Sequence, residues 1–363
     1  MKTASSSARR HIRAAGLAHY FEVAEAVGLN PQPLLRRANL SRRMLVDLEQ
    51  RIPLAAAVQL LEESAHASGC ADFGLRMAEA RRLSDLGPLS LLLMHLPNLR
   101  AVLQTMIQSG QLVGGTLALA LVETGKTTAI REELVVPGIR PSRQAAELAL
   151  GVLFRLCTSI PGSQWNPQSV HFRHAAPADV QPHRRLFRCR LKFGSEFDGV
   201  VCATADLDRP NPLADPELAA YARRVVDVPG ASEDDSVAQT VRRSLYVQLP
   251  LGRASIEHIA LSVGLHARTL QRQLAAEGKV FSDLVDEVRR DLATRYLAQS
   301  ADNLTHVARM LGYSQLSSLT RWFKAELGMS PTDWRRSMRE SGTVPGRREG
   351  ARSASRATRS RMT

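Results

Sequence analysis

The chain has 363 residues, of which 44% are hydrophobic and 23% are charged. This length predicts two to three domains, and the composition is that of a globular protein rather than a disordered or fibrous one. The net charge of +13 favours a polyanionic partner, with a membrane surface as the rival. Most of this positive charge lies in the C-terminal part of the chain. Residues 236–363 hold 21 basic and 11 acidic residues, a net charge of +10, whereas residues 1–235 carry only +3.

Cysteine spacing and hydropathy argue against a zinc-finger protein, a membrane-spanning protein and a secreted protein. No CxxC pair is present, so a zinc finger cannot form, and reduced thiols of a cytoplasmic protein are expected at Cys70, Cys157, Cys189 and Cys202. The longest apolar stretch, near 86–96, is too short and too interrupted to span a bilayer. The N-terminus lacks the apolar region of a signal peptide.

The first 227 residues are predicted to form an α+β domain. Helical spacing of apolar residues indicates helices near 14–27, 54–70, 99–107 and 143–160. Two β-type segments flank Gly125 and predict a hairpin, and shorter strands are expected near 170–174 and 200–203.

A Pro-rich stretch, 206–236, with one helix inside it, predicts a connection between domains, with 228–236 as the linker proper. Residues 237–340 are predicted to be helical throughout. Residues 341–363 contain six arginines and almost no apolar residues, which predicts a disordered basic tail.

A motif occurs twice in the predicted helical domain. Residues 255–264 read Ser-Ile-Glu-His-Ile-Ala-x3-Gly, and residues 303–312 read Asn-Leu-Thr-His-Val-Ala-x3-Gly. Each copy precedes a second helical pattern rich in Arg, Gln and Ser. A helix, a glycine turn and a second polar-faced helix are typical of the helix-turn-helix that reads DNA. The repeat therefore predicts an all-α domain with two such units.

The first helices of the two units are expected to be capped by Ser255 and Asn303, and the second reading helix by Ser314. Apolar spacing places the remaining polar positions toward the groove. The residues predicted to contact DNA are Arg268, Gln271, Arg272, Ser314, Gln315, Ser317, Ser318 and Arg321.

Base chemistry ranks these candidates. Arginine pairs with guanine O6 and N7, and glutamine pairs with adenine N6 and N7. Base contact is therefore expected of Arg268, Gln271, Arg272 and Arg321. For the others the choice between bases and phosphates stays open.

A long helix is predicted between the units, beginning at Ser282 and apolar at helical spacing as far as Tyr296. Its length of roughly 25 Å, with its flanking turns, would hold two reading helices about 34 Å apart, one turn of DNA.

The second unit carries a longer pattern. It reads Ala308-x3-Gly312-Tyr313-Ser314, then Arg321-x-Phe323-Lys324-x3-Gly328-x-Ser330-Pro331-x2-Trp334-Arg335. This pattern resembles that of the AraC/XylS family of bacterial transcription regulators. The resemblance implies two helix-turn-helix units joined by a long helix, with base-contacting positions at Arg268, Gln271, Arg272 and Arg321. The family usually has Ser or Asp where His266 stands and Phe where Leu319 stands.

The N-terminal half carries weaker signals, including Leu86-Gly87-Pro88-Leu89, Glu147-Leu148-Ala149 and Trp165-x-Pro167-x2-Val170-x-Phe172-x-His174. These are similar to the ligand-binding domain of the subfamily that includes ornithine-utilisation regulators. The resemblance implies a domain that senses a small-molecule effector and forms a homodimer, in a transcription activator that contacts RNA polymerase. No charged cluster in this half stands out as a ligand clamp, so the effector stays unnamed.

Other motifs are incomplete. Gly125-Lys126-Thr127 lacks the earlier glycine of a phosphate-binding loop, since Ala120 stands there. No catalytic constellation, cofactor site or metal site is recognisable, so the chain is not predicted to be an enzyme. Two alternatives remain: a non-specific architectural DNA-binding protein that depends on the basic tail, and an enzyme with an appended DNA-binding module.

Overall fold

A computed structural model describes residues 11–108, 116–135, 142–160, 165–226, 236–299 and 303–341. Apart from their end residues Ser236 and Ser341, the predicted linker and the predicted basic tail lie outside the described residues. Within these ranges no helix combines the length and the apolar character that crossing a membrane would require.

The N-terminal domain combines helices with two sheets. Its strands are β1 (His11–Arg13), β2 (Arg51–Pro53), β3 (Leu117–Thr124), β4 (Thr127–Leu134), β5 (Ser169–His171), β6 (Arg190–Lys192) and β7 (Asp198–Ala203). Its helices are α1 (Tyr20–Ala26), α2 (Gln32–Arg37), α3 (Arg42–Val46), α4 (Leu54–Ser68), α5 (Phe73–Ala80), α6 (Pro88–Met94), α7 (Leu99–Gln108), α8 (Arg143–Ser159), α9 (Gln181–Phe187), α10 (Thr204–Leu207) and α11 (Pro216–Val226). Short 3-10 turns cover Ala14–Leu17 and Leu83–Leu86.

Strands β3 to β7 form one mixed sheet. Their order is β3-β4-β7-β5-β6, and the pairs are antiparallel except β5 with β6, which is parallel. The predicted hairpin is confirmed, with Thr124 opposite Thr127 around Gly125. Strands β1 and β2 form a separate antiparallel pair.

Strand β3 faces two cores. Leu119 packs into the N-terminal core with α7, α8 and the inner residues of β4 and β7. Its neighbours Ala118 and Ala120 point the other way and pack with the C-terminal helices. Because side chains alternate across a strand, one β-strand can contribute to both cores.

The stretch 206–226, expected to be part of the connection between domains, is instead packed against the N-terminal domain. Leu207 and Ala222 are buried in its core. The side-chain amide of Asn211 donates to the carbonyls of Met94 (2.7 Å) and Leu96 (2.9 Å). These prolines therefore lie in a folded segment that ends in α11. Proline content alone could not distinguish such a segment from a linker.

The C-terminal domain is helical. It comprises α12 (Val237–Gln248), a 3-10 turn at Leu249–Leu251, α13 (Ile256–Ser262), α14 (Ala267–Ala276), α15 (Phe281–Gln299), α16 (Leu304–Met310), α17 (Leu316–Leu327) and α18 (Pro331–Ser341). Apolar faces of these helices meet in one core, whose members include Ile259, Leu270, Leu292, Val307 and Phe323. Pro331 opens α18, and Trp334 anchors it in this core.

A buried polar cluster joins the two domains. Glu133 of β4 lies 2.6 Å from Arg173 Nη1 and 2.6 Å from Arg295 Nη2 of α15. Arg173 Nη2 donates to the hydroxyl of Tyr296 (3.1 Å), and Arg295 Nη1 donates to the carbonyl of Leu134 (3.0 Å). One carboxylate therefore ties the sheet of the first domain to the long helix of the second.

Candidate nucleic-acid interface

Helices α13 and α14 form the first helix pair. The Ser255 hydroxyl accepts the backbone N–H of His258 (3.3 Å), which confirms the predicted cap of α13. Glu257 lies in the first turn, where its own backbone N–H and the Ser255 hydroxyl lower the pKa of its carboxyl. An ionised acid at this end suits the helix dipole, so local interactions fix where the pair begins.

The turn of each pair has the same geometry. Gly264 has a φ of +74°, and Leu265 N–H donates to the carbonyl of Ala260 at 2.8 Å. Gly312 has a φ of +80°, and Tyr313 N–H donates to the carbonyl of Ala308 at 2.9 Å. This left-handed backbone favours glycine, which explains why the repeated motif ends in that residue.

Helices α16 and α17 form the second pair, and one sequence expectation fails there. The Asn303 side chain accepts the N–H of Thr305 at 3.0 Å, so its predicted capping role is confirmed. Helix α17 begins at Leu316 with Gln315 at the cap position, and no side chain caps it. Ser314, predicted as that cap, lies one residue too early, and its side chain is exposed.

Helix α12 supports the first pair. Glu277, at the end of α14, accepts the N–H groups of Val237 (2.6 Å) and Ala238 (3.1 Å). The hydroxyls of Ser244 and Ser262 are 2.6 Å apart and link α12 to α13. These contacts hold α13 and α14 each at its C-terminal end.

Helix α15 supports the second pair. Arg289 Nε donates to the carbonyl of Leu311 (3.1 Å), and its guanidinium lies over the Tyr313 ring, 5.0 Å from the centroid. Burial raises the pKa of Tyr313 to about 12, although the neighbouring Arg289 opposes this shift. Arg290 pairs with Glu326 of α17. The turn and the second helix of this pair are therefore held by one side of α15.

The same helix is also tied to α12. Arg242 lies 2.8 Å from the Glu287 carboxylate, and the Tyr246 hydroxyl donates to Asp291 at 2.7 Å. Since α12 holds the first pair and α15 the second, both pairs are positioned by one connected set of helices.

Most residues predicted to contact DNA are exposed. Ser318 is half-buried, and the exposed ones are Arg268, Gln271, Arg272, Ser314, Gln315, Ser317 and Arg321. Among the described residues no ion pair or hydrogen bond engages the side chains of Arg268, Arg272 or Arg321. The apolar residues of the same helices, such as Leu270 and Leu319, are fully buried.

These exposed side chains can supply hydrogen-bond donors to an external acceptor. Arginine presents planar N–H pairs that match base edges and phosphates, and its charge persists at every accessible pH. No group of three or more His, Cys, Asp or Glu in the described parts of the chain could hold a metal ion. The chemistry available on this surface is therefore anion and base-edge recognition.

Two families match the chain. Residues 28–211 match the arabinose-binding domain found at the N-terminus of AraC transcription regulators, and residues 259–337 match a helix-turn-helix domain. The HTH-type transcriptional regulator VirS of Mycobacterium tuberculosis is 32% identical over 326 residues, which cover 89% of this chain and 96% of VirS. The chain belongs to the AraC family of transcription regulators.

A second relative of this AraC-family regulator covers most of the chain. The ornithine utilization regulator of Pseudomonas aeruginosa is 24% identical over 310 residues, covering 85% of this chain and 91% of that protein. A crystal structure of transcriptional regulator CdpR from Pseudomonas aeruginosa covers 84% of this chain and 96% of its own, at 19% identity and a TM-score of 0.41. The predicted family is confirmed: the chain is a DNA-binding transcription regulator with an N-terminal ligand-binding domain, not an enzyme.

Sequence reasoning missed a set of arginines in the ligand-binding domain of the AraC-family regulator. Arg13, Arg81, Arg82 and Arg155 line one cavity there. They come from three separate segments, so no local motif marks them. The adjacent pair Arg81-Arg82, at the end of α5, was the one signal visible in the sequence.

Proposed function

We propose that each helix pair is a helix-turn-helix unit and that α14 and α17 enter two successive major grooves on one face of the DNA. The observation that carries this proposal is the duplicated geometry. Both pairs turn at a positive-φ glycine, and each second helix presents exposed arginines (Arg268 and Arg272 on α14, Arg321 on α17) that have no ion pair or hydrogen bond within the described residues.

The length of α15 supports the spacing. It has 19 residues, which corresponds to about 28 Å. Two major grooves on the same face of B-DNA are about 34 Å apart, centre to centre. A rigid helix of this length, together with its flanking turns, suits that separation.

Arg268, Arg272 and Arg321 would donate to guanine O6 and N7, and Gln271 would pair with adenine. Ser314, Gln315, Ser317 and the half-buried Ser318 would contact phosphates or bases near the start of α17. The phosphate contacts fix the register, and the arginines discriminate between base pairs.

Control would come from the N-terminal domain. A small-molecule effector shifts the population toward a homodimer in which both DNA-binding domains meet their half-sites, and the bound dimer contacts RNA polymerase in the cytoplasm to activate transcription. Linking half-sites in this way strengthens binding without any new protein–DNA contact.

The test uses a duplex that the full-length protein selects from a random library. Arg321→Ala should lose about 1–3 kcal/mol of binding free energy on that duplex and relax the preference at one base position, because a bidentate guanine contact disappears. Arg336→Ala is the matched control, since Arg336 is an exposed arginine of α18 that pairs with Asp333. An equal loss on every sequence would mean that Arg321 contacts only phosphate.

A further inference from the structure

A cavity of about 180 Å³ lies in the N-terminal domain, between the segment that follows β1, the turn after α5 and helix α8. Its wall is largely apolar and includes Ile12, Leu83, Leu86, Val152 and Leu156. A cavity needs roughly 10–15 Å³ to hold one water molecule. A volume of about 180 Å³ therefore has room for a ligand of about ten or a few more non-hydrogen atoms.

The polar part of the lining is strongly basic. It contains four arginines, and Asp85 is the one acidic lining residue in the described part of the chain. The Asp85 carboxylate is already engaged, because it lies 2.9 Å from His19 Nε2 and accepts the backbone N–H of Arg82 at 2.9 Å. Arg13 pairs with Glu49, which lies outside the lining, so the excess of positive charge rests on Arg81, Arg82 and Arg155.

Two of these arginines are bound only through backbone carbonyls. Arg81 donates to the carbonyls of Ala15 and Gly16, the latter at 2.6 Å, and Arg155 Nη2 donates to the carbonyl of Arg81 at 3.1 Å. Neither guanidinium pairs with a carboxylate in the described parts of the chain. Within the part of the chain that the structure describes, neither positive charge has a paired counter-ion.

The local environment confirms this imbalance. Burial lowers the pKa of Arg81, and the negative charge of Asp85 only partly opposes the effect. The Nε atoms of Arg13, Arg81 and Arg155 are buried without a hydrogen-bond partner among the described residues. A charge removed from water without a paired counter-ion is costly, and an anionic ligand in the cavity would reduce that cost.

We infer that this cavity is the effector site and that it takes a small monocarboxylate with an apolar body. The carboxylate faces Arg155 and Arg82, and the apolar body packs against Leu83, Leu86 and Val152. A neutral sugar would leave the arginine charges uncompensated and would place hydroxyl groups on an apolar wall. The inference rests on the proposal that an effector acts through the N-terminal domain.

The experiment measures binding of defined probes to the full-length protein by calorimetry and thermal shift. The probes are octanoate and 3-phenylpropanoate, their uncharged primary amides, and L-arabinose. We expect at least one carboxylate to bind and to raise the melting temperature, whereas its amide binds at least about tenfold more weakly, a difference of about 1.4 kcal/mol.

Variants locate the site. Arg155→Gln and Arg82→Gln should each weaken carboxylate binding by about tenfold or more. The control Arg185→Gln removes an arginine of α9 that pairs with Glu79 outside the cavity, and it should bind like the wild type. Arg82 is exposed, so its variant should fold even if the Arg155 variant does not.

Binding of no carboxylate, equal binding of acid and amide, or preferential binding of arabinose would overturn the inference. So would carboxylate binding that Arg82→Gln and a folded Arg155→Gln leave unchanged. DNA binding by the same samples is measured separately. A protein that binds the carboxylate but no DNA would sustain this site and refute the proposed function, and the reverse result would refute the site alone.

Discussion

At the scale of single residues, adjacent glutamates of β4 have opposite environments. Glu133 pairs with two arginines, whereas Glu132 points into the N-terminal core at 3% exposure. Neither carboxyl oxygen of Glu132 has a hydrogen-bond partner among the described residues. Burial raises its pKa well above the usual range, and the nearby Asp198 and Glu133 reinforce the shift. The folded state therefore favours the protonated carboxyl.

This environment makes stability depend on pH. Because the pKa of Glu132 is higher in the folded state, the native protein binds the proton more tightly than the unfolded chain. Its free energy of unfolding should then fall as pH rises above the unfolded pKa, by at most about 1.4 kcal/mol per pH unit. Glu132→Gln removes that dependence, so the variant should gain stability relative to the wild type between pH 5 and pH 8. Urea unfolding at both pH values measures the difference, and parallel pH profiles would contradict the assignment.

At the scale of elements, local hydrogen bonds decide where helices begin. Ser255 and Ser314 are both serines just before a helix of the duplicated pairs, yet only Ser255 caps one. The difference arises because Gln315, not Ser314, occupies the position where the chain enters α17.

Ser255→Ala should therefore lower the free energy of unfolding by about 1 kcal/mol, the usual effect of removing a side-chain cap. Ser314→Ala is its matched control and should change stability by less than about 0.5 kcal/mol. Chemical denaturation of both variants provides the comparison. Equal losses would show that Ser314 also stabilises its helix.

Elements with strong periodicity could be predicted from the sequence. Helices α4, α8, α15 and α17 and the β3–β4 hairpin lie within a few residues of their expected bounds. Strand β6 has only three residues and pairs in parallel with β5, so neither alternation nor a hairpin turn marks it. Likewise, the basic cavity depends on tertiary contacts between β1, the end of α5 and α8, which no sequence spacing encodes.

At the scale of the whole molecule, the two domains share buried structure. Ala118 and Ala120 of β3 are buried in the core of the C-terminal helices, where β3 contacts α12, and Glu133 pairs with Arg295 across the boundary. Ligand binding in the first domain can therefore reach the DNA-binding helices through packed side chains as well as through the connecting segment. Such a route requires two arrangements of the shared interface with different affinities for DNA.

Glu133→Gln tests how much this junction contributes. Removing Glu133 leaves the buried Arg173 without its ion-pair partner and Arg295 with only the more distant carboxylate of Asp291 (3.8 Å), so we expect a loss of about 3–5 kcal/mol. Hydrogen exchange of the α12 and α15 amides should accelerate accordingly. Glu123→Gln is the matched control, because Glu123 is a more exposed glutamate of β3 that pairs with Arg100, and its loss should stay below about 1 kcal/mol. Unchanged protection of α15 in Glu133→Gln would rule out the junction.

We propose that one protomer reads two successive major grooves, and methylation protection tests this most directly. Methylation protection reports on guanine N7, the major-groove atom that arginine contacts. On a selected duplex, the full-length protein should protect guanines in two grooves about 10 base pairs apart, and Arg272→Ala and Arg321→Ala should each expose one of them. Two results would contradict the two-groove proposal. One is guanine protection in a single groove per protomer, and the other is loss of protection in both grooves in each variant.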